Sequence, residues 1–120
     1  MKTQTTTSQF LLLGRGTHWD KGLSPEEIQK LLGRAHLWFD QLIQQGKAKG
    51  GQRLAHEGKI VSRKKERTVT DGPFAESKEA VAGYILLQLD NLNEAVEIAK
   101  EWPILEIDGV SIEVRPVLIT

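Results

Sequence analysis

The sequence contains no cysteine, which removes thiolate nucleophiles, disulfides and cysteine-ligated zinc from consideration. Nor is there a surplus of either charge. Sixteen basic and sixteen acidic residues cancel to a formal net charge of zero with neutral histidines. A dedicated nucleic-acid or membrane-surface binder needs a basic footprint, so direct nucleic-acid contact is not expected. Long hydrophobic runs are missing as well. Phe10 to Leu13 is too short for a signal segment or a membrane span, and the chain reads as a soluble cytoplasmic protein with no membrane partner. No Gly-x-Ser-x-Gly nucleophile motif, phosphate loop or His-Glu-x-x-His pattern occurs, and no cofactor is expected. What remains is a chain of 120 residues, enough for one domain that buries a core without staples.

Residues 1–8 are polar and threonine-rich and read as a flexible tail, with a single domain over residues 9–120. Gln9 to Leu13 is a continuous apolar run that suits a strand covered on both faces. Gly14-Arg15-Gly16 then reads as a turn, because the third glycine and the following helix of a dinucleotide loop are absent. The loop after it carries His18 and Trp19, and the Trp suits either a pocket wall or the edge of a core. Leu23-Ser24-Pro25-Glu26-Glu27 holds the parts of a helix start: Ser24 as N-cap, Pro25 at the first position, Glu27 three residues on. The helix is expected to run to Gln45, with Gly46 as its left-handed stop. Ile28, Leu31, Leu32, Ala35, Trp38, Phe39, Leu42 and Ile43 repeat at helical spacing and define its apolar face. His36 and Asp40 are four apart, hence neighbours on one flank. They suit an oriented imidazole–carboxylate pair, two metal ligands, or a plain surface ion pair; the site expected here is metal-free.

Gly50-Gly51 marks a bulge or a close approach. Leu54 to Val61 reads as a hairpin turn between short strands, and Arg63-Lys64-Lys65-Glu66-Arg67 as a solvated tip. Thr68-Val69-Thr70 favours a strand. Val81 to Leu89 places Ile85, Leu87 and Leu89 on one face and Tyr84 and Leu86 on the other, the pattern of a central strand. Asn91 caps a second helix that Pro103 ends. After the Asp108-Gly109 turn, Val110, Ile112 and Val114 alternate with polar residues as in a half-buried strand. The resulting order is ferredoxin-like βαββαβ with an inserted β-hairpin, an α+β class. Two helices cover one face of a four-stranded sheet, so a homodimer packed sheet on sheet, an α+β barrel, is expected.

The stretch that organises the rest is Asp71-Gly72-Pro73-Phe74-Ala75-Glu76-Ser77-Lys78-Glu79. Its first three residues are a strong turn signal, and the charges after it run into the mouth of the best strand in the chain. This run resembles the signature of the YCII-related, or DGPF-domain, proteins. Leu23-Ser24-Pro25-Glu26-Glu27, Gly50-Gly51 with Leu54, Gly83-Tyr84 and Val114-Arg115-Pro116 match as well, so the likeness spans Phe10 to about Val117. It implies a compact ferredoxin-like domain, usually paired into a dimer, and a family whose chemistry is largely unsettled. It also adds weight to Asp71. Some relatives are thought to use a His–Asp pair, which does not map onto this chain by motif; His36 is offered from spacing alone.

Two functions are compatible with these residues. One is a small-molecule enzyme using general acid–base chemistry in a cleft near the Asp71 turn. There His36, Asp71 and Asp40 are the expected catalytic groups, and His18 and His56 are further proton carriers. Trp38, Glu76, Lys78 and Arg67 are the expected binding groups, with Arg67 or Lys78 holding an anionic substrate. The other is a non-catalytic ligand-binding or protein-interaction module, since proteins that look like this are sometimes labelled transcription-initiation accessories. Asp71 and the Glu76-Ser77-Lys78 segment are expected to border a cleft facing the first helix near His36 or Trp38.

Overall fold

Alternate residues of the first strand, β1 (Gln9–Arg15), meet different surroundings: Phe10, Leu12 and Gly14 are buried, and Leu11, Leu13 and Arg15 are half-buried. The period of two sends the first set to one face of a sheet and the second set to the other. The computed structural model describes residues 8–16, 18–63, 66–71 and 80–118, with Asp71 described through its backbone alone. Within it β1 is followed by α1 (Pro25–Gln44), β2 (Ala48–Arg53), β3 (Lys59–Arg63), β4 (Arg67–Asp71), β5 (Val81–Gln88), α2 (Leu92–Lys100), a 3-10 helix (Pro103–Glu106) and β6 (Ser111–Pro116). The architecture is α+β.

Four strands form one sheet in the order β2-β5-β1-β6, and β3 and β4 form a separate two-stranded sheet. Every pairing in both sheets is antiparallel. The two segments that are apolar on both sides, β1 and β5, sit at the centre of the larger sheet. One face carries the core: Phe10, Leu12 and Leu87 pack with Leu42 of α1 and with Ala95, Ile98 and Ala99 of α2. Both helices therefore lie on that face. On the opposite face Leu11, Leu13 and Leu86 are half-buried and Tyr84 is 38% exposed. Among the described residues no helix is long and apolar enough to cross a membrane.

Both helices start where the sequence places them. The Ser24 hydroxyl accepts from the Glu27 N–H at 3.1 Å, and the Glu27 carboxylate accepts from the Ser24 N–H at 2.8 Å. The reciprocal pair satisfies two backbone donors that the first turn leaves open. The Ser24 backbone N–H, and after it the Ser24 hydroxyl, hold the Glu27 carboxyl below its ordinary pKa. A depressed pKa in the fold means that this contribution is present above the unfolded-state pKa and is lost as pH falls through the folded value. At the other end Gly46 takes φ 76°, a conformation that costs glycine little and ends the helix. Asn91 caps α2 by accepting from the Glu94 N–H at 2.9 Å.

Two sequence-based expectations are corrected. First, β1 extends to Arg15, so Gly14 is a strand residue and the turn begins at Gly16, whose φ is 116°. The reason is packing: the Trp102 side chain needs the space above Gly14, which makes glycine useful inside the strand. Second, residues 54–61 do not join a hairpin. β2 remains on β5 through Leu54 N–H to the Ala82 carbonyl at 2.8 Å, whereas β3 pairs with β4 and the hairpin closes between Arg63 and Arg67. Pro103 follows the end of α2, as expected, and also opens a 3-10 helix; a proline tolerated at a first helical position serves both purposes.

Ser24→Ala should lower stability by about 1 kcal/mol through loss of the N-cap. Chemical denaturation at neutral pH reads this as a lower midpoint at unchanged slope; an unchanged midpoint would mean that the cap contributes nothing to α1.

Candidate functional site

A row of residues across the sheet explains where a site forms. On the helix-covered face Gly14 lies opposite Ile112 of β6 and Gly83 of β5, and Gly83 lies opposite Arg53 of β2. Two adjacent strands thus lack a side chain at the same level. A Cβ on Gly14 would come within 2.8 Å of the Trp102 ring tip, so the indole stands in the space that the glycine leaves. The nearest atoms to a Cβ on Gly83 are backbone atoms of Gln52 and Arg53, the closest at 3.0 Å. No ring stands there as Trp102 does over Gly14.

Above this row is a cleft of about 460 Å³ between α1 and the sheet. Leu32, Ala35, His36, Trp38 and Phe39 border it from α1, and Trp19 from the loop after β1. Trp102 and Ile104, on either side of Pro103, border it from the far end of the chain. All three tryptophans of the sequence border this one cleft. Its size and mostly apolar walls with a few polar groups are those of a small-molecule site. Gly51 lies on the floor as well, and a Cβ there would fall 2.6 Å from the Tyr84 carbonyl oxygen. That close approach, next to the register shift between Ala48 and Gly50, is what Gly50-Gly51 provides.

His36 is at the rim. Its Nε2 is 3.4 Å from the Asp40 Oδ2, with the side chains 76% and 49% exposed. The helical spacing therefore yields a His–Asp contact, and one of its members borders the cleft. Exposed pairs of this kind contribute little to stability, but a carboxylate beside an imidazole orients the ring for proton transfer. Trp38 is also in place, and its buried Nε1 has no hydrogen-bond partner. Leaving such a donor unpaired costs about 1–3 kcal/mol, and the exception calls for a reason.

The other residues singled out in the sequence lie elsewhere. His18 and His56 stack on each other, ring centroids 4.8 Å apart and planes 8° from parallel. They join the loop after β1 to the loop after β2, beside Trp19 and Arg53 of the cleft. His18 takes φ 65°, uncommon for any residue but glycine. Arg67 is exposed on β4 opposite Arg63 and does not border the cleft. The backbone of Asp71 ends β4 opposite Lys59. Glu76 and Lys78 lie outside the described residues, as does the turn after Asp71. Among the described residues no group of three or more His, Asp or Glu is disposed to hold a metal ion.

Arg53, Trp102 and the Gly14–Gly83 floor escaped the sequence reading as site residues. A usable signal was present for the floor: an isolated glycine inside an apolar strand marks a close approach. For Arg53 nothing in its neighbourhood in sequence gives a hint.

An α+β domain with an aromatic cleft between its first helix and its sheet is thus the class of molecule in hand. The chain belongs to the YCII-related domain family, whose model matches residues 17–118. It is similar to an uncharacterized protein, R00369, of Rhizobium meliloti (strain 1021), at 41% identity over 51 residues. That similarity covers 42% of this chain and 41% of the relative's length.

Proposed function

We propose that the protein binds a small molecule in the α1–sheet cleft and acts on it by general acid–base chemistry, with His36 as the proton carrier and Asp40 orienting it. The observation that carries this reading is the convergence of three tryptophans and a His–Asp pair on one ligand-sized cleft. A buried, unsatisfied Trp38 N–H beside the same cleft supports it, because bound ligands and the side-chain shifts they induce are common ways to satisfy such donors. Asp71, with Glu76 and Lys78 beyond it, is proposed to border this cleft too. Connectivity supports that placement: from Asp71 the chain returns to buried Ala80 at the head of β5, the strand whose Gly83 forms the floor. The second reading, a non-catalytic module, draws on the high exposure of His36.

A screen of small organic compounds by NMR tests the proposal. Ligands should shift the His36 imidazole and the tryptophan indole signals together. For a ligand that is turned over, His36→Asn should cut the rate by about 100-fold or more and leave the thermal midpoint near that of the parent. Ligands that bind in the cleft with turnover indifferent to His36→Asn would contradict the acid–base role, and ligands that perturb only the β3–β4 hairpin would contradict the site.

The domain, residues 9–120, is further proposed to be ferredoxin-like and to pair with a second copy through the open sheet face. The strand order with β1 and β5 central supports the first part. Half-buried Leu11, Leu13 and Leu86 beside exposed Tyr84 support the second, as an apolar sheet face that neither helix covers. Sedimentation at micromolar concentration should return twice the chain mass of 13.4 kDa; the single-chain mass would count against pairing.

A further inference from the structure

If the cleft is a ligand site, as proposed above, its lining also limits what enters it. We infer that it takes a small organic monoanion with a flat apolar body, whose charged end is held by Arg53.

The shape follows from the cross-strand row. Ile112, Gly14, Gly83 and Arg53 succeed one another across β6, β1, β5 and β2. Trp102 stands over Gly14, and Arg53 rises from the edge strand two positions away. Two strand spacings, about 9–10 Å, separate the strand under Trp102 from the strand that bears Arg53. The floor between them is Gly83, which contributes no side chain. A gap of this width, open at the bottom and walled by Trp102 and Trp19, admits one ring system lying against an aromatic side chain. A branched or bulky body would meet those walls.

The charge follows from what lines the cleft. Among the described lining residues there is no aspartate and no glutamate; the basic side chains are Arg53 and His36. None of the ion pairs among described residues uses Arg53, and it is exposed at the cleft's edge. At the Arg53 end of the cleft a ligand cation would therefore find a guanidinium and no described carboxylate. A ligand carboxylate would find a planar fork of donors that it matches with two hydrogen bonds. One fixed cation suits one negative charge. At that end a doubly charged phosphate would carry a second charge into surroundings where His36 is the one other basic group among the described lining residues, and burying an unpaired charge is costly.

Isothermal titration calorimetry on the full chain tests this with two probes of the same shape, 2-naphthoate and the uncharged 2-naphthamide. The carboxylate should bind at least about tenfold more tightly, and Arg53→Gln should remove about that factor for naphthoate while changing naphthamide less than about twofold. Arg53 is exposed on an edge strand, and a thermal melt of the variant verifies that it folds. Arg53→Lys should restore part of the preference, since it returns the charge without the fork. Equal affinity for the two probes, or a preference that survives Arg53→Gln, would overturn the inference while leaving the cleft a ligand site. Failure of both probes to bind at millimolar concentration would overturn the inference and the ligand-site reading together.

Discussion

The structure depends on one contact between residues far apart in the chain: the indole of Trp102 standing where Gly14 has no side chain. β1 is a central strand, and a central strand filled with branched side chains would leave no room for a ring at that point. Glycine in a strand interior is normally a weakness, because it adds flexibility and packs nothing. Here the deficit is offset by the largest side chain available. The contact fixes where α2 ends, because Trp102 follows its last turn and Pro103 immediately starts the 3-10 helix. That helix in turn meets α1 through the Arg34–Glu106 ion pair. The end of the second helix, the middle of the first and the centre of the sheet are thereby set relative to one another.

The cleft is a by-product of the same arrangement. Trp102 fills the space over Gly14, but the atoms nearest to the neighbouring glycine on β5 are backbone atoms of β2, and α1 borders the cleft beside it with Trp38, His36 and Phe39. Side-chain size thus falls and rises along a single row of the sheet, from Ile112 through two glycines to Arg53. The loop after β1, which brings Trp19 to the cleft, is joined to the loop after β2 by the His18–His56 stack.

Much of this was legible in the residues, for reasons that differ from element to element. Ser24-Pro25-Glu26-Glu27 announces a helix because capping is local, and the reciprocal bonds form between atoms three residues apart. The central places of β1 and β5 were legible because burial on two sides leaves an apolar stretch that no edge strand needs. His36 and Asp40 were legible as a pair through helical spacing. The cleft was not, because its floor and its cation come together only through strand register. Gly14, Gly83 and Arg53 are separated by tens of residues, and nothing local to Arg53 distinguishes it from any other exposed arginine. The misreading of Gly14 as part of a turn has the same origin. Its reason for being glycine is Trp102, at the other end of the chain.

A double-mutant cycle on Gly14 and Trp102 tests that contact directly. With Trp102 present, Gly14→Ala puts a methyl into occupied space and should lower stability by about 1–3 kcal/mol, the range for overpacking. With Trp102→Leu as the background the space is free. The same substitution should then be neutral or slightly stabilising, since alanine restricts the unfolded chain more than glycine does. The stability of all four proteins is measured by chemical denaturation, and the coupling between the two positions is the quantity of interest. A Gly14→Ala effect that vanishes in the Trp102→Leu background is the predicted result. An effect of equal size in both backgrounds would show that Gly14 serves the strand itself, and would contradict the account of how the cleft is formed.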